Sequence, residues 1–106
     1  MINDFNSAEV KIFSITEINK LVKELLQDNF PSIWVKGEIS NFIEASSGHW
    51  YFSLKDNDAQ VRCTMFRGKN NEVKWVPKNG DLIEAQCKIG LYEQRGDYQL
   101  NISSLQ

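Results

Sequence analysis

The chain is short of the residues that cross-links, membrane spans and catalytic centres require. In 106 residues it has two cysteines, Cys63 and Cys87, two prolines and one histidine, His49. Both cysteines fall on strand faces that read as core, so reduced buried thiols of a cytoplasmic protein are expected rather than a disulfide. Two cysteines and one histidine, far apart in sequence, make a poor metal site, and no metal ligand is assigned. No apolar run approaches the roughly 18 residues of a membrane span. The opening Met-Ile-Asn-Asp-Phe-Asn lacks the basic start and apolar stretch of a signal peptide, so no membrane partner is expected.

A strong charge of either sign is also missing. Net charge is −2, which argues against binding nucleic acid by bulk electrostatics alone. The surplus is local. Lys11, Lys20 and Lys23 face Asp4, Glu9, Glu17, Glu24 and Asp28 in residues 1–32, whereas residues 33–106 balance. Catalytic groupings are absent too. His49 has no serine and acid at a readable spacing, and it is expected to be structural or ligand-contacting. Glu38, Glu44, Asp56 and Asp58 could be read as magnesium-binding carboxylates, since that ion prefers oxygen. Asp56 and Asp58 are simpler as turn residues, and Glu38 and Glu44 as outward strand positions. No catalytic residue is assigned.

What is present is a helix followed by strands. Residues 1–12 show no clean pattern, although Val10, Ile12 and Phe13 could add a short extended arm. Ser14 precedes Glu17 at the capping-box spacing, with Phe13 and Ile18 placed as a hydrophobic staple. Ile15, Ile18, Leu21, Val22, Leu25 and Leu26 then recur every three or four residues, an amphipathic stripe that ends at Asn29 and Pro31. Five runs of alternating character follow. The first starts at Ile33, with Trp34, Lys36, Glu38, Ser40 and Phe42 on its outer face and a bend at Gly37. In the second, Trp50, Phe52 and Leu54 point inward while His49, Tyr51, Ser53 and Lys55 point outward. The third spans 59–66, with Arg62 and Phe66 outward. Residues 67–80 read as a polar connection anchored by Val73, Trp75 and Val76, and turning at Asn79-Gly80. The fourth spans 82–92, and Gln94-Arg95-Gly96 closes a hairpin onto the fifth, through Tyr98, Leu100 and Ile102.

Five short antiparallel strands with a bent first strand predict a mainly β protein, a five-stranded OB-fold barrel preceded by an N-terminal amphipathic helix. Residues 1–32 form the arm and helix, packed on the barrel, and 33–106 the barrel, one structural domain overall. Trp34 is expected to pack under the helix or a neighbouring domain. Tyr51 and Phe66, beside Lys55, Arg62 and Arg67, form the candidate ligand face, with His49 and Phe42 adjoining. Rings and cations together suit single-stranded nucleic acid, because each stacked base contributes roughly 1–3 kcal/mol.

Four segments carry a family resemblance: FSITEIN at 13–19, IWVKGEISNF at 33–42, SGHWYFSLKD at 47–56 and LYEQRGDYQL at 91–100. In this order they resemble the N-terminal domain of the exodeoxyribonuclease VII large-subunit family. The resemblance implies an OB fold with an extra N-terminal helix, and Gly37, Trp50, Phe52 and Gly96 as fold-determining. It also implies a parent enzyme several times longer, which joins many copies of a small helical subunit and degrades single-stranded DNA from either end. On that expectation the catalytic segment lies beyond Ser104-Leu105-Gln106, as do magnesium and the small-subunit contacts. This portion is then a non-catalytic DNA-binding domain without a cofactor. Two alternatives remain open, a module docking the catalytic domain or small subunit, and an RNA- or oligosaccharide-binding OB domain.

Overall fold

A computed structural model describes residues 10–106, so the expectations about residues 1–9 lie outside the described residues. Residues 10–14 form no strand, and Val10 and Ile12 are exposed, so the extended arm does not join the sheet. Helix α1 spans Ile15–Asn29. Its start is held from both sides, as the capping box predicts. The Glu17 N–H donates to Ser14 Oγ at 3.0 Å, and the Ser14 N–H donates to Glu17 Oε1 at 2.8 Å. These bonds satisfy donors that a helix start leaves without partners. They also hold the Glu17 carboxyl below its usual range. Ile18, Val22 and Leu26 are half-buried, and no residue of α1 is fully buried. The helix rests on the barrel at one strand and its hairpin rather than filling the core.

Strands β1 (Ile33–Glu44), β2 (Trp50–Lys55), β3 (Gln60–Met65), β4 (Leu82–Tyr92) and β5 (Asp97–Leu105), with the single-turn helix α2 (Arg67–Asn70) after β3, complete the chain. They close in the order β1-β2-β3-β5-β4. Four junctions are antiparallel and β3–β5 is parallel, paired at Cys63–Leu100 and Thr64–Asn101. The all-antiparallel expectation is therefore corrected. An odd number of strands cannot alternate direction all the way round a ring, so one junction must be parallel.

The core is the inner face of this ring. Trp50, Phe52 and Leu54 of β2 meet Ile39, Cys63, Met65, Ile83, Ala85, Cys87, Leu100 and Ile102, largely as the alternation predicts. β1 is long enough to pair with β4 through Ile33–Glu38 and with β2 through Glu38–Glu44. Gly37 sits at the changeover. A Cβ there would lie 3.1 Å from the Lys55 carbonyl oxygen and 3.4 Å from Leu54 Cβ, so the bend depends on its missing side chain.

Three local expectations fail for identifiable reasons. Trp34 stays 51% exposed rather than packing under the helix, because α1 lies against β4 and the β4–β5 hairpin. The expectation of a neighbouring domain against it concerns length that this chain does not span. In the connection after β3, Trp75 and Val76 are exposed and Pro77 is the fully buried anchor, with Val73 half-buried. Proline lacks an N–H and is therefore easy to bury in irregular backbone. The third failure is the register at the end of β1. Ser40 pairs with Ser53, but the next partners are Ile43 and Tyr51, so three residues of β1 oppose two of β2. Asn41 takes φ 54° within this bulge. One extra residue reverses the alternation that follows it.

Candidate nucleic-acid interface

The bulge decides which side chains reach the surface of β2 and β3. It turns Phe42 inward, with ring centroids 5.5 Å from Trp50 and 6.0 Å from Phe52. It turns Ile43 outward, 60% exposed. The Phe42 N–H donates to Asn79 Oδ1 at 2.9 Å, which ties the bulge to the turn before β4. Phe42 is thus a core residue, not a member of the outer face predicted for it.

A groove of about 700 Å³ runs over β2 and β3, from the end of β1 to the β4–β5 hairpin. Tyr51, Phe66 and Tyr92 present half-exposed rings to it, and Arg62 and Arg95 supply its cations. No carboxylate lines it. In a chain with surplus negative charge, that segregation leaves one surface suited to phosphate. Arg62 makes no ion pair among the described residues. Arg95 Nε lies 3.6 Å from Asp97 Oδ2, both largely exposed, a pair weak enough to exchange for another anion.

Of the predicted residues, Tyr51, Arg62 and Phe66 come together here. Lys55 does not. It shares the parity of Tyr51 but lies four residues further along β2, about 13 Å at the usual strand rise. Its Nζ is 4.0 Å from Glu38 Oε2. Lys55 lines a different depression of about 850 Å³, where Lys36 is mixed with Glu38, Asp56 and Glu84, a poor surface for phosphate. Arg67 opens α2, and its contribution is its backbone N–H, which donates to His49 Nδ1 at 2.9 Å. His49 lies behind the groove lining. Its ring meets Phe66 edge-on at 5.1 Å and Tyr51 at 6.5 Å.

Two supports hold the groove's walls. At one end, Asn70 is buried and its Nδ2 donates to the Gly48 carbonyl at 2.9 Å and the Met65 carbonyl at 3.3 Å. Gly48 takes φ 91°, a turn that a side chain would strain. At the other end, Asn19 Nδ2 of α1 donates to the Glu93 carbonyl, and Lys23 Nζ meets Glu93 Oε1, each at 2.9 Å. The N-terminal helix therefore braces the hairpin that carries Tyr92 and Arg95.

Ile43, Tyr92 and Arg95 escaped the sequence reading. The asparagine at 41, a residue type that tolerates positive φ, was the available sign of the bulge. The hairpin at 94–96 was legible, but not its approach to β2 and β3. Asp56 serves its turn as expected: its Oδ1 accepts the N–H groups of Asp58 and Ala59, which hold the carboxyl below its usual range. Cys63 and Cys87 are free and buried, and burial pushes the Cys63 thiol up to about 12. Among the described residues no three histidine, cysteine or acidic side chains gather to hold a metal ion, and no helix is long and apolar enough to cross a membrane.

Comparison with known proteins agrees with this geometry. Residues 13–106 match the family described as an OB-fold nucleic acid binding domain. The chain is 50% identical over 103 residues to the exodeoxyribonuclease 7 large subunit of Nitrosomonas eutropha, covering 97% of this chain and 23% of that protein. It is 53% identical over 94 residues to the same subunit of Hahella chejuensis, covering 89% and 21%. The chain thus spans about a fifth to a quarter of the length of these relatives. In fold it is similar to a replication protein A heterotrimer bound to single-stranded DNA, with TM-score 0.58, 8% identity, and coverage of 73% of this chain and 57% of that one. It is also similar to the SSB domain of a Synechococcus protein, with TM-score 0.56, 7% identity, and coverage of 73% and 94%. A closed five-stranded barrel, an acid-free groove across β2 and β3 and a family match over almost its whole length place the chain in the OB-fold nucleic acid binding domain family, homologous to the N-terminal region of the exodeoxyribonuclease VII large subunit.

Proposed function

We propose that this domain holds single-stranded DNA in the groove, as the DNA-binding portion of an exodeoxyribonuclease whose catalytic segment lies in the length of the relatives that this chain does not span. The observation that carries the reading is the lining itself, three exposed rings and two arginines with no carboxylate. Rings stack on bases of any identity, and only unpaired bases expose both faces to them, so single strands are favoured over duplex. The arginines add phosphate contacts, and the surface over strands 2 and 3 beside the hairpin loops is where OB folds hold oligonucleotides. Phe66, Tyr51 and Tyr92 are the stacking groups, Arg62 and Arg95 the phosphate groups, and Ile43 an apolar edge. In this reading the domain needs no metal to bind. Magnesium and the small subunit belong to the remainder of a longer cytoplasmic enzyme.

Fluorescence anisotropy with a labelled oligothymidine, across a salt series, tests the assignment. Tyr51→Ala and Phe66→Ala should weaken binding for different base sequences alike. Arg62→Ala should flatten the dependence on salt by about one unit of slope, since each lost phosphate contact removes one counterion release. Lys55→Ala should change little. If Tyr51, Phe66 and Arg62 variants all bind like the parent chain, the groove is not the DNA site, and docking of a protein partner becomes the better account of its rings.

A further inference from the structure

His49 is more than a neighbour of the groove. Its Nδ1 accepts the N–H of Arg67, joining the loop before β2 to the first turn of α2, and Phe66 is the residue just before that turn. The same imidazole meets the two stacking rings edge-on, Phe66 at 5.1 Å and Tyr51 at 6.5 Å. Asn70 ties the Gly48 carbonyl to the same corner, and the Ser47 hydroxyl accepts the His49 N–H at 3.3 Å. Thus one side chain touches both rings and the backbone of the residue next to Phe66.

An imidazole nitrogen accepts a hydrogen bond only while it carries no proton. Histidine is also the side chain that ordinarily changes charge between about pH 5 and 8. We infer that His49 is a positioning residue whose neutral form latches Phe66 and Tyr51 for stacking, so that single-strand binding weakens when the imidazole takes up a proton. This rests on the nucleic-acid reading of the groove. Protonation puts an N–H at Nδ1 opposite the Arg67 N–H, and the two donors repel. The groups facing His49 are few: Tyr51 from β2, Phe66 and Arg67 from the β3–α2 corner, and Ser47 from its own loop. None of the ion pairs among the described residues involves His49. The charged residue among them is Arg67, which reaches His49 through its backbone N–H while its side-chain carbons pass over Gly48.

The test is oligothymidine binding by the intact chain between about pH 8 and pH 5.5, with a salt series at each end. Thymine carries no group that titrates in this interval. The latch predicts about five-fold weaker binding at the acid end, equivalent to one ordinary hydrogen bond, with the salt slope unchanged. His49→Asn presents Oδ1 near the place of Nδ1 and does not titrate, so its affinity should stay flat with pH. His49→Ala should bind at every pH about as the parent does in acid. The Arg67 amide signal in a nitrogen-15 NMR titration reads the latch without DNA, and it should shift with pH in the parent and not in His49→Asn. Affinity that rises in acid with a steeper salt slope would make His49 a phosphate contact instead and overturn the latch. Binding that is flat in the parent overturns it alone, whereas no binding at pH 8 overturns the nucleic-acid reading and the latch together.

Discussion

Truncation of Phe42 to alanine separates core from ligand surface at one position. The ring lies inside the bulge, against Trp50 and Phe52. A fully buried phenylalanine cut to alanine costs about 3–5 kcal/mol through lost transfer energy and the cavity left behind. Phe42 is half-buried, which lowers that figure, while ring pairs of this kind add about 0.5–1.5 kcal/mol each. Phe42→Ala should therefore destabilise the domain by about 2–4 kcal/mol. At about 4–8 °C per kcal/mol for a domain of this size, the melting midpoint should fall by roughly 10–25 °C. Binding to oligothymidine, measured well below that midpoint, should stay within about two-fold of the parent value, since the ring does not line the groove. Melts followed by circular dichroism and anisotropy titrations on the same preparation supply both numbers. An unchanged midpoint with weakened binding would put Phe42 on the outer face and refute the bulge register.

The remaining expectations concern the core, the thiols, the helix cap and catalysis. Phe52→Ala, at the centre of the barrel, should cost about 3–5 kcal/mol in a chemical-denaturation series, and a midpoint equal to the parent's would reverse the faces assigned to β2. A thiol reagent at pH 8 should label Cys63 only on unfolding, because burial holds it protonated. As pH rises from 9.0 toward about 12 the unfolded thiol loses its proton first, so the parent should lose stability relative to Cys63→Ala across that window. Glu17 is held below its ordinary 4.5 by Ser14, so the cap's contribution is present above 4.5 and fades as pH falls through the lowered value. Ser14→Ala should remove that acid-dependent step from the helical circular-dichroism signal. Finally, the chain incubated with labelled single-stranded DNA and magnesium should leave the DNA intact, and degradation abolished by a substitution within it would refute a purely binding role.

How much of this was legible in the sequence depends on whether the information was local. The helix from Ser14 to Asn29 was, because capping and 3.6-residue periodicity are carried by neighbours in the chain. So were the inward faces of β2 and β4, the Asp56 turn and the hairpin at 94–96, since each rests on alternation or on a residue suited to an unusual backbone angle. Tyr51 and Arg62, on short strands that keep their parity, and Phe66, just past the end of β3, were placed on one face for the same reason. Tertiary structure decided the rest. A bulge at Asn41 exchanged Phe42 for Ile43, because register is set against the partner strand and not within β1. Ring closure with five strands imposed a parallel junction that no local pattern encodes. The hairpin that brings Tyr92 and Arg95 to the groove is braced by contacts of α1 with Glu93, 70 and 74 residues apart in the chain. Lys55 stands apart from the groove because shared parity says which face a residue occupies, and only three-dimensional distance says what it stands beside.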